Sequence, residues 1–214
     1  MSLIKESNEI LEVAVEASLA ASNIIMEAAH NPQISNFKKT RSDLVTATDL
    51  ESEKIIKLFI NKNFPKHSIL AEESDIKDNS SDYLWVIDPL DGTTNFVHGY
   101  PSFSVSIGVY YKNQPIAAVV LGMPHFKLYT ATINSGAWCE GEKIKSSKTN
   151  KLKDSLLVTG FGYQHGDLWE KNMDLFKIFT NKCHGVRRLG SASIDICHVA
   201  TGQVDGFWEY ELSP

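Results

Sequence analysis

Tyr83-Leu84-Trp85-Val86-Ile87-Asp88-Pro89-Leu90-Asp91-Gly92-Thr93-Thr94-Asn95-Phe96 changes character twice within a short span. Residues 83–87 form a continuous apolar run, as expected of a strand buried on both faces. The run ends abruptly in two carboxylates, Asp88 and Asp91, with Pro89 fixing the backbone between them and Gly92 permitting a sharp turn. Thr93-Thr94-Asn95-Phe96 then reads as a helix start, where unpaired N–H groups and the positive dipole end suit a phosphate. One short segment thus offers hard oxygen ligands to Mg²⁺ and an N–H cradle to a phosphoryl group. The bland alternative makes Asp91-Gly92 an ordinary turn and Asp88 a strand-end cap. The composite of two carboxylates, a glycine and two threonines after an apolar strand favours function.

Outward from this segment, apolar residues at three- and four-residue spacing predict a helix over 7–29, with Ser7 as N-cap, and a polar loop to about Ser42. A second helix is expected from Leu50 to Asn63, with Asp49 as N-cap and Ile55, Ile56, Leu58, Phe59 and Ile60 buried. Ser68–Ala71 reads as a short strand delivering Glu72 and Glu73, and 75–82 as a charged surface loop. Strands follow at 103–111, 116–121 and 128–131, then a hairpin around Glu140-Gly141. Beyond Asn150 strands and helices alternate: strand 155–159, helix 167–180 capped by Asp167, strand 186–188, helix 191–200 and strand 204–210. This pattern predicts an α/β protein of two sub-domains, residues 1–150 and 151–214.

Composition narrows the function classes. The 214 residues are 43% hydrophobic and 22% charged, with a net charge of −5. No apolar run approaches the ~20 residues of a membrane helix, and the polar start carries no expected secretory signal. The longest basic cluster, Lys38-Lys39-Thr40-Arg41, is too short for a nucleic-acid stripe, so no nucleic-acid partner is expected. Three widely spaced cysteines, Cys139, Cys183 and Cys197, fit a reducing cytoplasm rather than a disulfide framework. Cys183-His184 and Cys197-His198 lack zinc spacing. Residues 160–166 carry a glycine spacing one residue too long for a dinucleotide loop.

Three further segments are unremarkable singly. Glu72-Glu73 reads alone as solvated surface, Asp49 as a helix cap, and Gly190-Ser191-Ala192-Ser193 as a strand-to-helix turn. As a set, Asp43 to Asp49, Ala71 to Ser74, Trp85 to Phe96, Gly190 to Ala192 and Val204 to Glu209 resemble the inositol monophosphatase family, in its order and with similar spacing. The resemblance implies a layered αβαβα sugar-phosphatase fold and Mg²⁺-dependent hydrolysis of inositol 1-phosphate or a similar small sugar or polyol phosphomonoester. It implies metal ligation by Glu72, Asp88, the Leu90 carbonyl and Asp91, with Asp88 bridging two ions. Asp49 and Thr93 would orient the attacking water, with Glu72 in the catalytic set. Leu90, Asp91, Gly92, Thr93, Thr94, Gly190, Ser191, Ala192 and Glu209 would line the substrate site, and Lys38 would lie in a mobile loop beside it. A homodimer is implied as well. Family members continue after Glu209 with a Trp-Asp pair whose Asp binds the second metal, so the C-terminal part is expected to be missing after Pro214. Alternatives within the resemblance are fructose-bisphosphate, histidinol-phosphate or nucleotide-bisphosphate hydrolysis, or a non-catalytic binding module.

Overall fold

Small side chains let the first helix lie close on its neighbours. Its buried face carries Ile10, Ala14, Ala17, Ser18, Ala21, Ser22 and Ile25. The hydroxyls of Ser7, Ser18 and Ser22 donate to the carbonyls of Ile4, Val15 and Leu19 at 2.8–2.9 Å, so each is satisfied where it is buried. The computed structural model describes residues 3–30, 32, 34–37, 44–77 and 80–212. Helix α1 spans Leu3–Ala28, so Ser7 lies inside it and is not its cap. Strands β1 (Ile34–Phe37) and β2 (Leu44–Thr46) pair antiparallel, where a polar loop was expected over the first of them. Backbone pairing needs no apolar periodicity, and none marks β1.

Helix α2 (Ala47–Asn63) starts earlier than expected because Thr46, not Asp49, is its N-cap. Thr46 Oγ1 accepts the N–H groups of Thr48 and Asp49 at 3.2 and 3.4 Å, while the Asp49 carboxylate accepts the Thr46 N–H at 2.8 Å. Ile56 and Ile60 are buried and Ile55 and Phe59 flank the core, but Leu58 is 60% exposed. The helical step turns it away from the 56/60 face.

Then come β3 (Ser68–Ala71), β4 (Ser74–Lys77), β5 (Tyr83–Asp91), α3 (Thr93–Val97), β6 (Phe103–Tyr111), β7 (Gln114–Met123), β8 (Lys127–Thr132), β9 (Gly136–Cys139) and β10 (Glu142–Lys143). Strand β4 occupies part of the expected 75–82 loop, and β5 runs past Asp88 to Asp91. Among the described residues these strands form an eight-stranded sheet in the order β10-β9-β8-β7-β6-β5-β3-β4. Only the β3–β5 pair in it is parallel. Helices α1 and α2 cover one face over Trp85, Ile87, Val105, Ile107, Val109 and Val119.

After a short 3-10 helix at Leu152–Asp154, the remaining elements are β11 (Leu156–Thr159), α4 (Asp167–Thr180), β12 (Gly185–Arg187), α5 (Ala192–Ala200) and β13 (Gly206–Trp208). Gly166 rather than Asp167 caps α4, and β13 is shorter than the expected 204–210 strand. Strands β12, β11 and β13 form a parallel three-stranded sheet. Helix α5 packs on β6 and β7 of the large sheet and on β11 and β13 of the small one. It therefore links the two.

A buried aromatic stack carries a pH dependence. Trp85 Nε1 donates to His67 Nδ1 at 3.0 Å, and the imidazole stacks on Tyr83 and Phe64. Burial pulls the His67 pKa below 6.5, with Glu6 partly opposing. A histidine lowered on folding stabilises fully above its unfolded pKa, and that stabilisation is lost as pH falls below about 6.5. His67→Gln should therefore flatten the fall of melting temperature between about pH 7.5 and 5 relative to wild type, whatever its absolute stability. Parallel pH profiles for the two proteins would contradict this.

Candidate active site

The site begins as an irregularity in β5. Asp88 pairs with Ser106 and Asp91 with Ser104, so three steps on β5 match two on β6. The extra residue brings both aspartates to one face of the sheet. Gly92 follows in a left-handed conformation, φ +89°, where a Cβ would come within 3.0 Å of the Ser102 carbonyl and 3.1 Å of the Gly190 carbonyl. Only glycine fits that turn without strain. Helix α3 then starts at Thr93 with no side chain capping it, which leaves its first N–H groups for another acceptor.

Helix α2 brings the next group. Asp49 is 1% exposed. Its Oδ2 accepts the backbone N–H and the hydroxyl of Thr46, and its Oδ1 accepts the Thr93 hydroxyl at 2.9 Å. Burial raises its pKa, and the hydrogen bonds from Thr46 and Thr93 oppose the rise. Thr93 Oγ1 also lies 3.0 Å from the Leu90 carbonyl, so its single proton has two acceptors. Ser52, one turn along α2, donates to the Pro89 carbonyl at 2.7 Å. The structure thus joins Asp49 and Thr93, which lie far apart in the chain, and pins the segment between Asp88 and Leu90.

Asp88 is the point of greatest electrostatic tension. Burial, then the charges of Asp91 and Glu72, push its carboxyl well above the ordinary value. Its Oδ1 accepts the Leu90 N–H at 3.1 Å. Glu72 sits on the turn between β3 and β4, its N–H bonded to the Ile87 carbonyl at 3.2 Å. Mutually repelling carboxylates beside a backbone carbonyl are an all-oxygen donor set, which fits a hard divalent cation. Among the described residues, however, no group of three or more His, Cys, Asp or Glu side chains is drawn in as a ready-made metal cage.

Asp91 is committed elsewhere as well. Its Oδ2 accepts the Ser191 hydroxyl at 2.7 Å, the Ser193 N–H at 2.8 Å and the Ser193 hydroxyl at 2.6 Å; its Oδ1 accepts the Ala192 N–H at 3.3 Å. Asp91 therefore caps α5 from another part of the fold, while Ser191, the residue at the N-cap position, makes no cap bond of its own. Asn95 Nδ2 ties α3 to the Ser102 and Leu189 carbonyls, both at 2.7 Å. Gly190, φ +88°, leaves room for that amide. So Asp91, Gly92, Thr93, Gly190, Ser191 and Ala192 come together. Thr94 lies at the edge, 3.4 Å from the Tyr163 hydroxyl.

Glu209 approaches from β13. Its carboxylate occupies the space that a Cβ on Gly160 would fill. Burial and the Asp91 charge push its pKa up to about 7, against the pull of exposed Arg188. Asp195 on α5 is 1% exposed, and neither of its carboxylate oxygens has a hydrogen-bond partner among the described residues. Burial, Asp91 and Glu209 raise it to about 7. Sequence reasoning missed Ser52, Asn95, Gly160, Ser193 and Asp195 as parts of the site. A polar residue inside a helix has no periodic signature, although Ser193 belongs to the small-residue turn at 190–193. Lys38 and Asp43 lie outside the described residues. A cavity of about 410 Å³ lined by Ser68, Leu70, Leu84 and Tyr110 opens at the other end of these strands, away from Asp88.

The sequence profile of the inositol monophosphatase family matches residues 6–214. Phosphatase IMPL1, chloroplastic, from Arabidopsis thaliana is 51% identical over 96% of this chain and 57% of its own length. Nus factor SuhB of Pseudomonas aeruginosa is 38% identical over 95% of this chain and 78% of its own. The solved inositol monophosphatase from Anabaena (Nostoc) superposes with a TM-score of 0.84 at 41% identity, covering 97% of this chain and 77% of that one. The chain thus spans little more than half the length of the Arabidopsis relative.

Gly160→Ala tests the seat of Glu209. The added methyl displaces a flexible carboxylate rather than backbone, so the fold should survive. In carboxyl-edited NMR titration, the Glu209 carboxyl should move from about 7 towards its ordinary 4.5 as it enters solvent. An unchanged titration would show that the glycine does not seat it.

Proposed function

The chain belongs to the inositol monophosphatase family, and on that premise we propose that it hydrolyses inositol 1-phosphate, or a similar small sugar or polyol phosphomonoester, to the alcohol and inorganic phosphate with Mg²⁺. The observation that carries this proposal is the convergence of the Asp49–Thr93 hydrogen bond with Asp88, Asp91 and the start of α3. Glu72, Asp88 and the Leu90 carbonyl would hold one ion, and Asp88 and Asp91 would help to hold a second. Bound Mg²⁺ would neutralise phosphate charge and make water easier to deprotonate.

The chain's own groups supply positioning. Thr93 donates its proton to Asp49 Oδ1 and so keeps its oxygen lone pairs free to accept from the attacking water. Asp49, raised by burial, is a stronger base than a solvated aspartate and favours drawing that proton inward. The uncapped N–H groups after Gly92 face the phosphoryl oxygens, with Leu90 and Thr94 beside them. Gly190, Ser191, Ala192 and Glu209 bound the alcohol side. We also propose a sub-domain boundary near Asn150, a homodimer, no nucleic-acid ligand and a reducing soluble compartment such as the cytoplasm. Among the described residues no helix is long and apolar enough to cross a membrane, and all three cysteines are free thiols. The similarity to a protein named as a Nus factor supports a second reading, a binding role carried by the same fold.

Metal dependence separates these readings. Mg²⁺ should raise the melting temperature and be required for phosphate release, with Ca²⁺ a poor substitute. Full activity in excess EDTA would reject the metal-dependent mechanism, and folded protein that releases no phosphate from any small phosphomonoester would reject the enzyme reading. Turnover restricted to fructose bisphosphate, histidinol phosphate or nucleotide bisphosphates would move the substrate to those alternatives.

The parts of the site separate too. Asp88→Asn should lose Mg²⁺ affinity and nearly all activity. Thr93→Ala should lower kcat by on the order of 10²–10⁴ while leaving Mg²⁺ affinity largely intact. Glu209→Gln should change the ranking among inositol, fructose and glycerol phosphates more than it changes Mg²⁺ dependence. Activity that merely follows the folded fraction in all three variants would refute these roles.

A further inference from the structure

We infer that Glu53 is a positioning residue that locks the Glu72-Glu73-Ser74 turn and so delivers the Glu72 carboxylate beside Asp88. The inference rests on the proposed metal-dependent function. Glu53 is a carboxylate only 5% exposed, on the second turn of α2. A buried charge is stable only when it is fully hydrogen-bonded, and this one has three donors. Its Oε2 accepts the Glu73 N–H at 2.9 Å. Its Oε1 accepts the Ser74 hydroxyl at 2.6 Å and Lys57 Nζ at 2.8 Å, and Lys57 also bonds the Ser74 hydroxyl. On the opposite side, the Glu72 N–H bonds the carbonyl of Ile87, the residue before Asp88. The turn is therefore gripped from both flanks, and the side chain between the two grips is Glu72.

Helix periodicity supplies the second argument. Asp49, Ser52 and Glu53 stand at i, i+3 and i+4, the spacing of one helix face, and all three are buried. Each holds a different piece of the site: Asp49 holds Thr93, Ser52 holds the Pro89 carbonyl, and Glu53 holds the turn at 73–74. The first turns of α2 thus bracket three points on two chain segments. Groups that orient metal ligands from behind typically change metal affinity or activity by about 10–100-fold when removed.

The test uses the whole chain and Mg²⁺ alone as probe. Glu53→Gln keeps the volume but replaces one acceptor oxygen with a donor, so one of the two grips on residues 73–74 is lost. Isothermal calorimetry should show Mg²⁺ binding weakened by about 10–100-fold. Hydrogen exchange across residues 72–74 should quicken, with or without metal. A purely structural role would lower the melting temperature and leave the Mg²⁺ affinity unmoved. If Glu53→Gln does not fold, Ser74→Ala removes one uncharged, exposed donor and should weaken Mg²⁺ by about 3- to 10-fold. Unchanged Mg²⁺ affinity and exchange in a folded variant overturn the inference while the wild type still binds Mg²⁺. A wild type that binds no Mg²⁺ overturns the proposed function, and the inference with it.

Discussion

One carboxylate on the N-terminus of one helix holds the two sheets in register. Asp91 and Ser191 are 100 residues apart in the chain, yet Asp91 accepts four hydrogen bonds from residues 191–193. A helix N-terminus presents unpaired N–H groups and partial positive charge, and an anion is their natural partner. Because Asp91 ends β5 of the large sheet and α5 leads into β13 of the small one, this cap fixes where the small sheet's residues meet the Asp88 segment. Ser104 reinforces it, its hydroxyl within hydrogen-bonding distance of those of Ser191 and Ser193. Gly92 and Gly190 allow the two backbones to approach where the cap requires it.

That arrangement concentrates negative charge. Asp88, Asp195 and Glu209 all have raised pKa values, and Asp91 contributes to each rise. A protein selected only for stability would not gather carboxylates around a buried sheet end, because burial and like charge both oppose ionisation. Such tension marks functional sites more often than structural ones. Here it coincides with an all-oxygen donor set and an uncapped helix start. Phosphoryl transfer asks mostly for fixed positions and neutralised charge, and the surroundings meet the first demand by being rigid. Helix α2 grips from one side, α5 from the other, and Asn95 ties α3 to the Ser102 carbonyl just before β6 and to the Leu189 carbonyl.

Much of this was legible in the order of residues. The apolar run 83–87 ending in two aspartates, the glycine turn and the two threonines marked the candidate site segment. The periodicities of α1, β6, β7 and α4 are local and need no partner to be read. The resemblance to a known family then joined segments whose separate signals were weak, such as Glu72-Glu73 and Gly190-Ser191-Ala192. The misreadings have two causes. Thr46 displaced Asp49 as the cap of α2 because Asp49 serves as the reciprocal acceptor of a capping box and reaches Thr93 as well. Strands β1 and β4 formed without hydrophobic alternation because their pairing is a backbone matter.

By itself, then, the sequence determined most of the elements, the residue types gathered in the Asp88–Thr94 segment and the family, because these depend on local periodicity and on residue types at fixed spacing. Tertiary structure alone decided which distant groups share work. Asp49 meets Thr93, Asp91 caps α5, and the Glu209 carboxylate rests against Gly160. Each of these contacts depends on how helices and sheets pack, and no spacing along the chain encodes a hydrogen bond between residues far apart. The same packing removes carboxylates from water, so the raised pKa values that distinguish this site are a property of the fold rather than of any residue in it.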